Sequence, residues 1–426
     1  MAPLKILICG GGIAGPALAH LLVKSNQQHR IVIVERFPAL RASGAQIDLR
    51  GPGIEVVKRM GLRDVIRSKC VDEAGVSFVN SKGKIVGTIH ANKSGKGAQS
   101  VTSEYEIMRG DLVRIFYEAT KDKVEYVFGK TVERFEQDGD GSGVVAHFSD
   151  GSEDRFDLLV GADGQGSRVR KGMLPPGEDP YRRLGVHIGY WFIPRIETDD
   201  NYMRSYYGRK GRMIFRRSHN ETETQVYFTL RHDLSEVLGV ARASVEEQKA
   251  FWTERFQGAG WETERFLEGL KTTENFYCQE IVQVKINKWH QGRVVLLGDA
   301  AHCPSPFSGM GTTSSLVGAY VLAGEIERNH GNLSKALEDY ETAVRPFIDQ
   351  IQTPSPFWLR VFIPETSFGI VIINFIVIVI CFLRIPELAA RFTPEGKMSW
   401  KLPDYADASS KIAVESGHNE QKEDRA

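Results

Sequence analysis

The apolar run "LKILIC" (4–9) breaks at residue 10 into "GGGIAGPALAHLL", which sets Gly10, Gly12 and Gly15 in G-x-G-x-x-G spacing. The run before it reads as a strand, residues 13–25 as a helix, and "RIVIVER" (30–36) as a second buried strand. A strand–helix–strand unit of this length is a parallel crossover, so the chain must begin as an α/β domain. The glycines allow a tight turn and let backbone N–H groups approach a pyrophosphate, whose charge the helix N-terminus stabilises. Glu35 closes the second strand, 20 residues after Gly15, with Arg36 beside it. An acid there hydrogen-bonds ribose hydroxyls and repels a 2′-phosphate. At this point FAD and NAD both remain open.

With 426 residues, the chain is long enough for two or three units. Lys plus Arg equals Asp plus Glu at 54 each, which leaves no basic face to call for nucleic acid. The five cysteines are scattered without a C-x-x-C pair, and the histidines lack metal-ligand spacing, so neither a disulfide framework nor a metal is expected. A reducing, cytoplasmic compartment follows, and "LKILIC" is too short for a signal peptide.

Further along, residues 53–69 read as a helix with a break near Gly61, and 76–100 as a hairpin with a polar tip. "RGDLVRIFYEATK" (109–121) reads as a helix that Asp111 can cap. Strands are expected through 124–160, with "SEDRFDLLVGADG" as the last, and again through 184–232. A helical stretch (244–270) and a strand (280–285) follow, and the polar tail after Asp404 is expected to be disordered. Thr366–Leu383, "TSFGIVIINFIVIVICFL", carries no charge. At 18 residues it sits at the edge of what spans or anchors in a membrane, and it equally fits a buried helix or strand.

Three distant stretches bear on the cofactor. "DLLVGADGQGSRVR" (157–170) sets Asp163 after an apolar strand, with Ser167 and Arg170 following. "RGDLVRIFYEA" supplies Arg109, and "GDAAHCPSPFSGMG" (298–311) supplies Asp299 in a second glycine-rich strand-to-helix turn. Together with the N-terminal turn, these resemble the class A flavoprotein monooxygenases of the para-hydroxybenzoate hydroxylase type, over residues 4 to about 350. The resemblance implies a Rossmann-like FAD-binding domain of the glutathione reductase type, a β-sheet-rich substrate domain and a C-terminal helical segment. It implies that Asp299 holds a ribityl hydroxyl and that Pro306, Gly309, Gly311 and Thr312 line the flavin ring. It also places Arg109 on the FAD backbone, and Arg41 and Gly44 of "RASGAQIDL" near the flavin. After Gly311 the chain departs from the commonest family pattern, reading "TTSSLVGAYVLAGEI".

The same resemblance implies NADPH or NADH as a transient co-substrate, and no second dinucleotide fingerprint is present. It implies O2 transfer through a C4a-hydroperoxyflavin to an aromatic, phenolic or polyketide-like small molecule, in the style of fungal secondary metabolism. Rival outcomes are epoxidation, Baeyer–Villiger insertion, or flavin reduction without oxygen transfer. Strand "QVYFTLR" alternates, with Val226, Phe228 and Leu230 on one face and Gln225, Tyr227, Thr229 and Arg231 on the other. Tyr190, Tyr227 and Arg231 are therefore candidates to face substrate, against the plainer reading of a wet sheet face. "GYWFIP" (189–194) keeps half of the halogenase W-x-W-x-I-P signature, with Gly189 at its first tryptophan. The expected division is 1–75, 101–180 and 286–330 for FAD, 76–100 and 181–285 for substrate, 331–400 as C-terminal helices including 366–383, and 404–426 as tail.

Overall fold

A computed structural model of the chain describes residues 2–41, 44–92, 105–231, 240, 243–352, 359, 361–385 and 400–405. Residues 93–100 of the expected 76–100 hairpin and the tail from 406 lie outside these residues. In chain order the first elements are β1 (Lys5–Cys9), α1 (Ala14–Ser25), β2 (Arg30–Glu35), β3 (Gln46–Asp48), α2 (Pro52–Met60) and α3 (Arg63–Arg67). Then come β4 (Gly75–Val79), β5 (Ile85–His90), β6 (Glu106–Met108), α4 (Arg109–Glu118), β7 (Glu125–Phe128), β8 (Val132–Gln137), β9 (Val144–Phe148), β10 (Glu153–Phe156), β11 (Leu158–Gly161) and α5 (Arg168–Met173). The long strands β12 (Tyr181–Pro194), β13 (Tyr202–Gly208), β14 (Arg212–Ser218) and β15 (Glu223–Arg231) precede α6 (Val245–Phe256) and α7 (Thr263–Thr272). The chain finishes with β16 (Tyr277–Val284), β17 (His290–Gln291), β18 (Val294–Leu296), α8 (Asp299–His302), α9 (Gly311–Arg328), α10 (Leu333–Ile351) and α11 (Ser367–Phe382).

The nucleotide half is a six-stranded sheet in the order β17-β18-β11-β1-β2-β7, parallel except for β17. Its central strands are buried on both faces, which explains their unbroken apolar runs. Helix α9 is buried on almost every side and packs against α1, α2 and α10, a fit its small residues permit. Residues 153–161, expected as one strand, split at Asp157. Its carboxylate accepts the Lys5 N–H at 2.7 Å and its own N–H donates to the Lys5 carbonyl at 2.9 Å. Consequently β10 joins a small sheet with β8 and β9, while β11 enters the six-stranded sheet. Asp111 does not cap α4, because the first helical residue is already Arg109; it pairs with Arg114 at 2.9 Å instead.

The second unit is a seven-stranded sheet in the order β16-β12-β15-β14-β13-β4-β5. One face carries Trp191, Val226, Phe228 and Leu230 into a core with Trp252, Phe256, Phe266 and Leu270 of α6 and α7. Phe228 stacks on Phe256 at 4.2 Å, and the Trp191 indole donates to the Phe266 carbonyl at 3.1 Å. A Cβ at Gly189 would sit 2.9 Å from the Trp252 ring, so a halogenase-like tryptophan has no room there. The opposite face of the sheet turns toward the nucleotide half and toward the residues leading into α11. No helix among the described residues is long and apolar enough to cross a membrane. The apolar run is α11, a helix of 16 residues, and not a strand. Before the tail, Trp400 donates to the Ala343 carbonyl at 2.8 Å and the Tyr405 hydroxyl to Glu325 at 2.7 Å, so Tyr405 is packed, not loose.

Candidate functional site

The loops after β1, β2, β11 and β18 adjoin one another at the C-terminal ends of the parallel strands, where an open α/β sheet binds its ligands. The β1–α1 turn brings Gly10 against the next strand's turn. With φ of 117°, a Cβ there would strike the Ala162 carbonyl and lie 3.1 Å from the Asp163 Cα. A Cβ at Gly15 would collide with the Gly10 carbonyl and approach Ile8 Cγ2 at 3.0 Å. These two glycines let the turn close, whereas Gly12 borders open space crossed only by an Arg109 guanidinium nitrogen, 3.4 Å from its Cβ direction. Glu35 accepts from the Gly11 N–H at 2.9 Å and from the Phe37 N–H at 3.1 Å, which aims its carboxylate at the turn. Arg36 is exposed, with its guanidinium over the Phe37 ring at 4.9 Å.

Arg109 starts α4 and threads the middle of this cradle. Its stem passes 2.9 Å from the Cβ direction of Gly44, and its guanidinium donates to the Arg41 carbonyl at 3.3 Å. Burial, then the nearby Arg41 charge, lowers its pKa, while Tyr277, Asp299 and Glu35 act in the opposite sense. The Arg41 guanidinium lies over Phe37 at 4.8 Å and Tyr277 at 5.7 Å. Asp163 accepts the Arg168 N–H at 2.7 Å through one oxygen. Its other oxygen is buried with no protein donor among the described residues.

The second glycine turn is built from β18, α8 and α9. Gly298 has φ of 63° and fits between Ser315 and Ala14. Asp299 opens α8 at the rim of the cradle. Burial raises its pKa, and the Cys303 thiol, Arg109 and Arg170 pull it back. The structure joins two sequence motifs directly: Arg170 donates to the Ala300 carbonyl at 2.8 Å and to the Tyr181 hydroxyl at 2.8 Å. The His302 ring nitrogens have no polar partner among the described residues, and burial pushes the pKa down to about 3, so it is a neutral packing residue against Trp289 at 4.8 Å. The loop then carries Pro306 and Gly309, and α9 begins at Gly311 with open space beside it. Thr312 is buried in that first turn, whose N–H groups lack intrahelical acceptors.

Sequence reasoning missed several members of this site. Ser305 holds φ of 84°, a strained value for a side-chain residue, fixed by the Phe307 N–H and Ser308 hydroxyl bonds. Asp48 and Arg50 flank Gly309: the Cβ direction of this glycine lies 3.2 Å from Asp48 Oδ2 and 3.3 Å from Arg50 Nε. Burial and the Glu106 charge push the Asp48 carboxyl up to about 6, against the pull of Arg50 and Arg217. Only the stretch "GAQIDLRG" hinted at them, through its polar residues between two apolar ones.

Of the substrate-facing candidates, two converge and one does not. Tyr190 and Tyr227 have ring centroids 4.8 Å apart over the Gly44–Gln46 stretch. The Tyr190 hydroxyl donates to the Gly44 carbonyl at 3.3 Å, and the Gln46 N–H donates to the Tyr227 hydroxyl at 3.4 Å. Burial raises both phenol pKa values above the tyrosine range, so neither is a base near neutrality. Gln225 joins them, donating to the Gln46 side chain at 3.0 Å. Arg231 lies at the far end of the strand and binds Ile363 and Glu365.

The residues fit FAD on their own chemistry: a glycine turn open toward a cation, a carboxylate aimed at that turn, a buried carboxylate oxygen lacking a protein donor, and a helix N-terminus at the second turn. Comparison agrees. A family model described as FAD binding domain matches residues 3–354. A FAD-dependent monooxygenase of Sarocladium schorii, asL4, is 41% identical over 95% of this chain and 99% of its own. The flavin-dependent monooxygenase eupH of a Phoma species is 40% identical over 87% and 90%. Among solved structures, the tetracycline destructase Tet(51) superposes with a TM-score of 0.74 at 29% identity, covering 95% of this chain and all of that one.

Proposed function

The chain belongs to the FAD-binding-domain family and is a FAD-dependent monooxygenase; from that premise, we propose that it uses NAD(P)H and O2 to oxygenate a flat aromatic, polyketide-like molecule. The observation that carries this reading is the aromatic face of the second sheet, with Tyr190 and Tyr227 set directly over Gly44–Gln46. A planar apolar ligand is recognised by such a face, with the two hydroxyls and Gln225 as orienting polar groups. The likeness to a protein named for tetracycline, a fused-ring polyketide, supports the same ligand class.

In this reading Gly10, Gly12, Gly15, Glu35 and Arg36 serve the ADP half of FAD. Arg109, Asp163 and Asp299 hold its middle, and Arg41, Gly44, Pro306, Gly309, Gly311 and Thr312 border the flavin ring. Held by these residues, FAD would supply the activation of dioxygen, with NAD(P)H as the reductant. The protein does the rest. The positive end of α9 favours negative charge at the ring edge, the second sheet excludes water, and the Asp48 carboxyl beside the Gly309 loop takes up a proton as pH falls through about 6. Residues 1–75, 101–180 and 286–330 make up the FAD unit in this reading, 76–100 and 181–285 the substrate unit, and 331–400 the C-terminal helices including 366–383. A cytoplasmic protein touching a membrane through 366–383, without spanning it, completes the reading.

The test supplies the yellow protein with NADH or NADPH, a panel of phenolic polyketides and 18O2. One labelled oxygen in the product for each NAD(P)H consumed is expected. NAD(P)H consumption that yields only peroxide, with every substrate, sinks the reading in favour of a flavin reductase.

A further inference from the structure

We propose that α11 lies in the plane of an anionic lipid surface, with its outward face buried among the lipids and the two neighbouring basic turns on the headgroups. This rests on the membrane contact just proposed and specifies the face and the lipid charge.

The helix has no charged residue and is apolar around its whole circumference, a pattern that belongs in a core or in lipid. Yet only Ile373 is fully buried. The inner side packs on the substrate sheet: Ile370 and Ile373 meet Tyr207, Met213 and Phe215, and Val377 and Cys381 lie on the backbone of Gly87 in β5. The outer side is bare, with Phe382 83%, Phe368 75% and Phe375 65% exposed, and Val371 and Ile376 beside them. The amide oxygen of Asn374 is turned away from solvent, so it does not interrupt that face. Sixteen residues make about 24 Å of helix, short of the roughly 30 Å hydrocarbon core, so the helix lies along a bilayer rather than through it.

The surrounding charge identifies the occupant. The Lys210 N–H donates to the Glu365 carbonyl at 2.9 Å, which places the β13–β14 turn at the start of α11. Strands β4 and β13 are parallel neighbours, so the β4–β5 turn lies at the same end of the sheet. These two turns carry the exposed cations Lys82, Lys84, Arg209 and Lys210 and no acid. The nearby Glu365 is neutralised by Arg231 at 2.9 Å. An apolar face edged by cations is complementary to an anionic interface. A second copy docked through the same face would set the same four cations against these.

The experiment is flotation of the full-length, FAD-loaded protein with vesicles of phosphatidylcholine alone or mixed with phosphatidylserine. The wild type is expected to float with the mixed vesicles. Phe368→Ser/Phe375→Ser/Phe382→Ser should cut the floated fraction about tenfold or more, and Arg209→Glu/Lys210→Glu should abolish the dependence on phosphatidylserine. If the triple variant loses its flavin, Phe382→Lys alone, at the most exposed position, makes the same test. Flotation that neither variant changes overturns this face while leaving membrane contact standing. No flotation with any vesicle overturns both, as does a dimer in sedimentation velocity that the phenylalanine changes dissociate. Flavin content and NAD(P)H oxidation, measured alongside, judge the oxygenase reading separately.

Discussion

Arg231, the last residue of β15, sets its guanidinium 2.9 Å from the Glu365 carboxylate and donates from Nε to the Ile363 carbonyl at 2.8 Å. The end of a central sheet strand thus holds the segment that leads into α11. Arg231→Met removes a half-exposed ion pair, worth about 0–1 kcal/mol, and a charged hydrogen bond worth about 1.5–3 kcal/mol. The loss should be local. Hydrogen exchange across residues 363–375 is expected to quicken about tenfold or more, with the main unfolding transition little changed. Unchanged protection there would show that the tie does not hold the segment.

Gly15→Ala should cost far more than its size suggests. The new methyl would collide with the Gly10 carbonyl and crowd Ile8, so α1 must move off β1. Overpacking of this kind costs about 1–3 kcal/mol, and the displaced turn no longer meets the pyrophosphate. The variant is expected to purify colourless, without FAD. Gly61→Ala is the matched control. With φ of 81° and open space around it, it should cost about 1–2 kcal/mol and keep its flavin. A yellow Gly15→Ala protein with normal absorbance would refute the argument.

The legible parts of this fold were those with local chemistry. The two glycine turns declare themselves because each strand-to-helix turn needs residues that only glycine fits. The alternation of "QVYFTLR" gave the two faces of β15 correctly, since one core packs Val226, Phe228 and Leu230 together. What stayed hidden was set by distant partners. Nothing near Asp157 says that Lys5 will divide its strand between two sheets. Arg231 reads as a substrate contact until Ile363 and Glu365 arrive from over a hundred residues away. The alignment of Gln46, Glu106 and Arg217 belongs to three elements that meet only in the folded chain. An apolar 18-residue run likewise carries no record of which side a sheet will cover.

Arg217 on β14 grips Glu73 with two hydrogen bonds, of 2.9 and 2.8 Å, and also reaches Glu106. All three side chains are largely shielded from water. Arg217→Met therefore leaves two buried carboxylates without their cation, a change worth about 3–5 kcal/mol. Burial already raises the Glu73 pKa, and losing Arg217 removes its largest opposing influence. A carboxyl whose folded pKa exceeds its unfolded value adds stability at low pH and loses it as pH rises. The deficit in melting temperature should accordingly be largest near pH 8 and shrink toward pH 5. A deficit independent of pH would mean that the damage is packing alone.

Asp48 offers the cleanest titration in the site. Burial, followed by the Glu106 charge, lifts its carboxyl to about 6 from an ordinary 3.8, although Arg50 lies 3.0 Å away. The folded protein therefore binds this proton more tightly than the unfolded chain does. The stability it contributes is complete below about pH 4 and disappears as pH rises through about 6, a swing on the order of 3 kcal/mol. Asp48→Asn imitates the protonated form at every pH. Its unfolding curve should match the wild type near pH 4 and lie above it by a few degrees near pH 8, flattening the slope between. Parallel curves from pH 4 to 8 would mean that Arg50 neutralises Asp48 fully and that no proton is held beside the Gly309 loop.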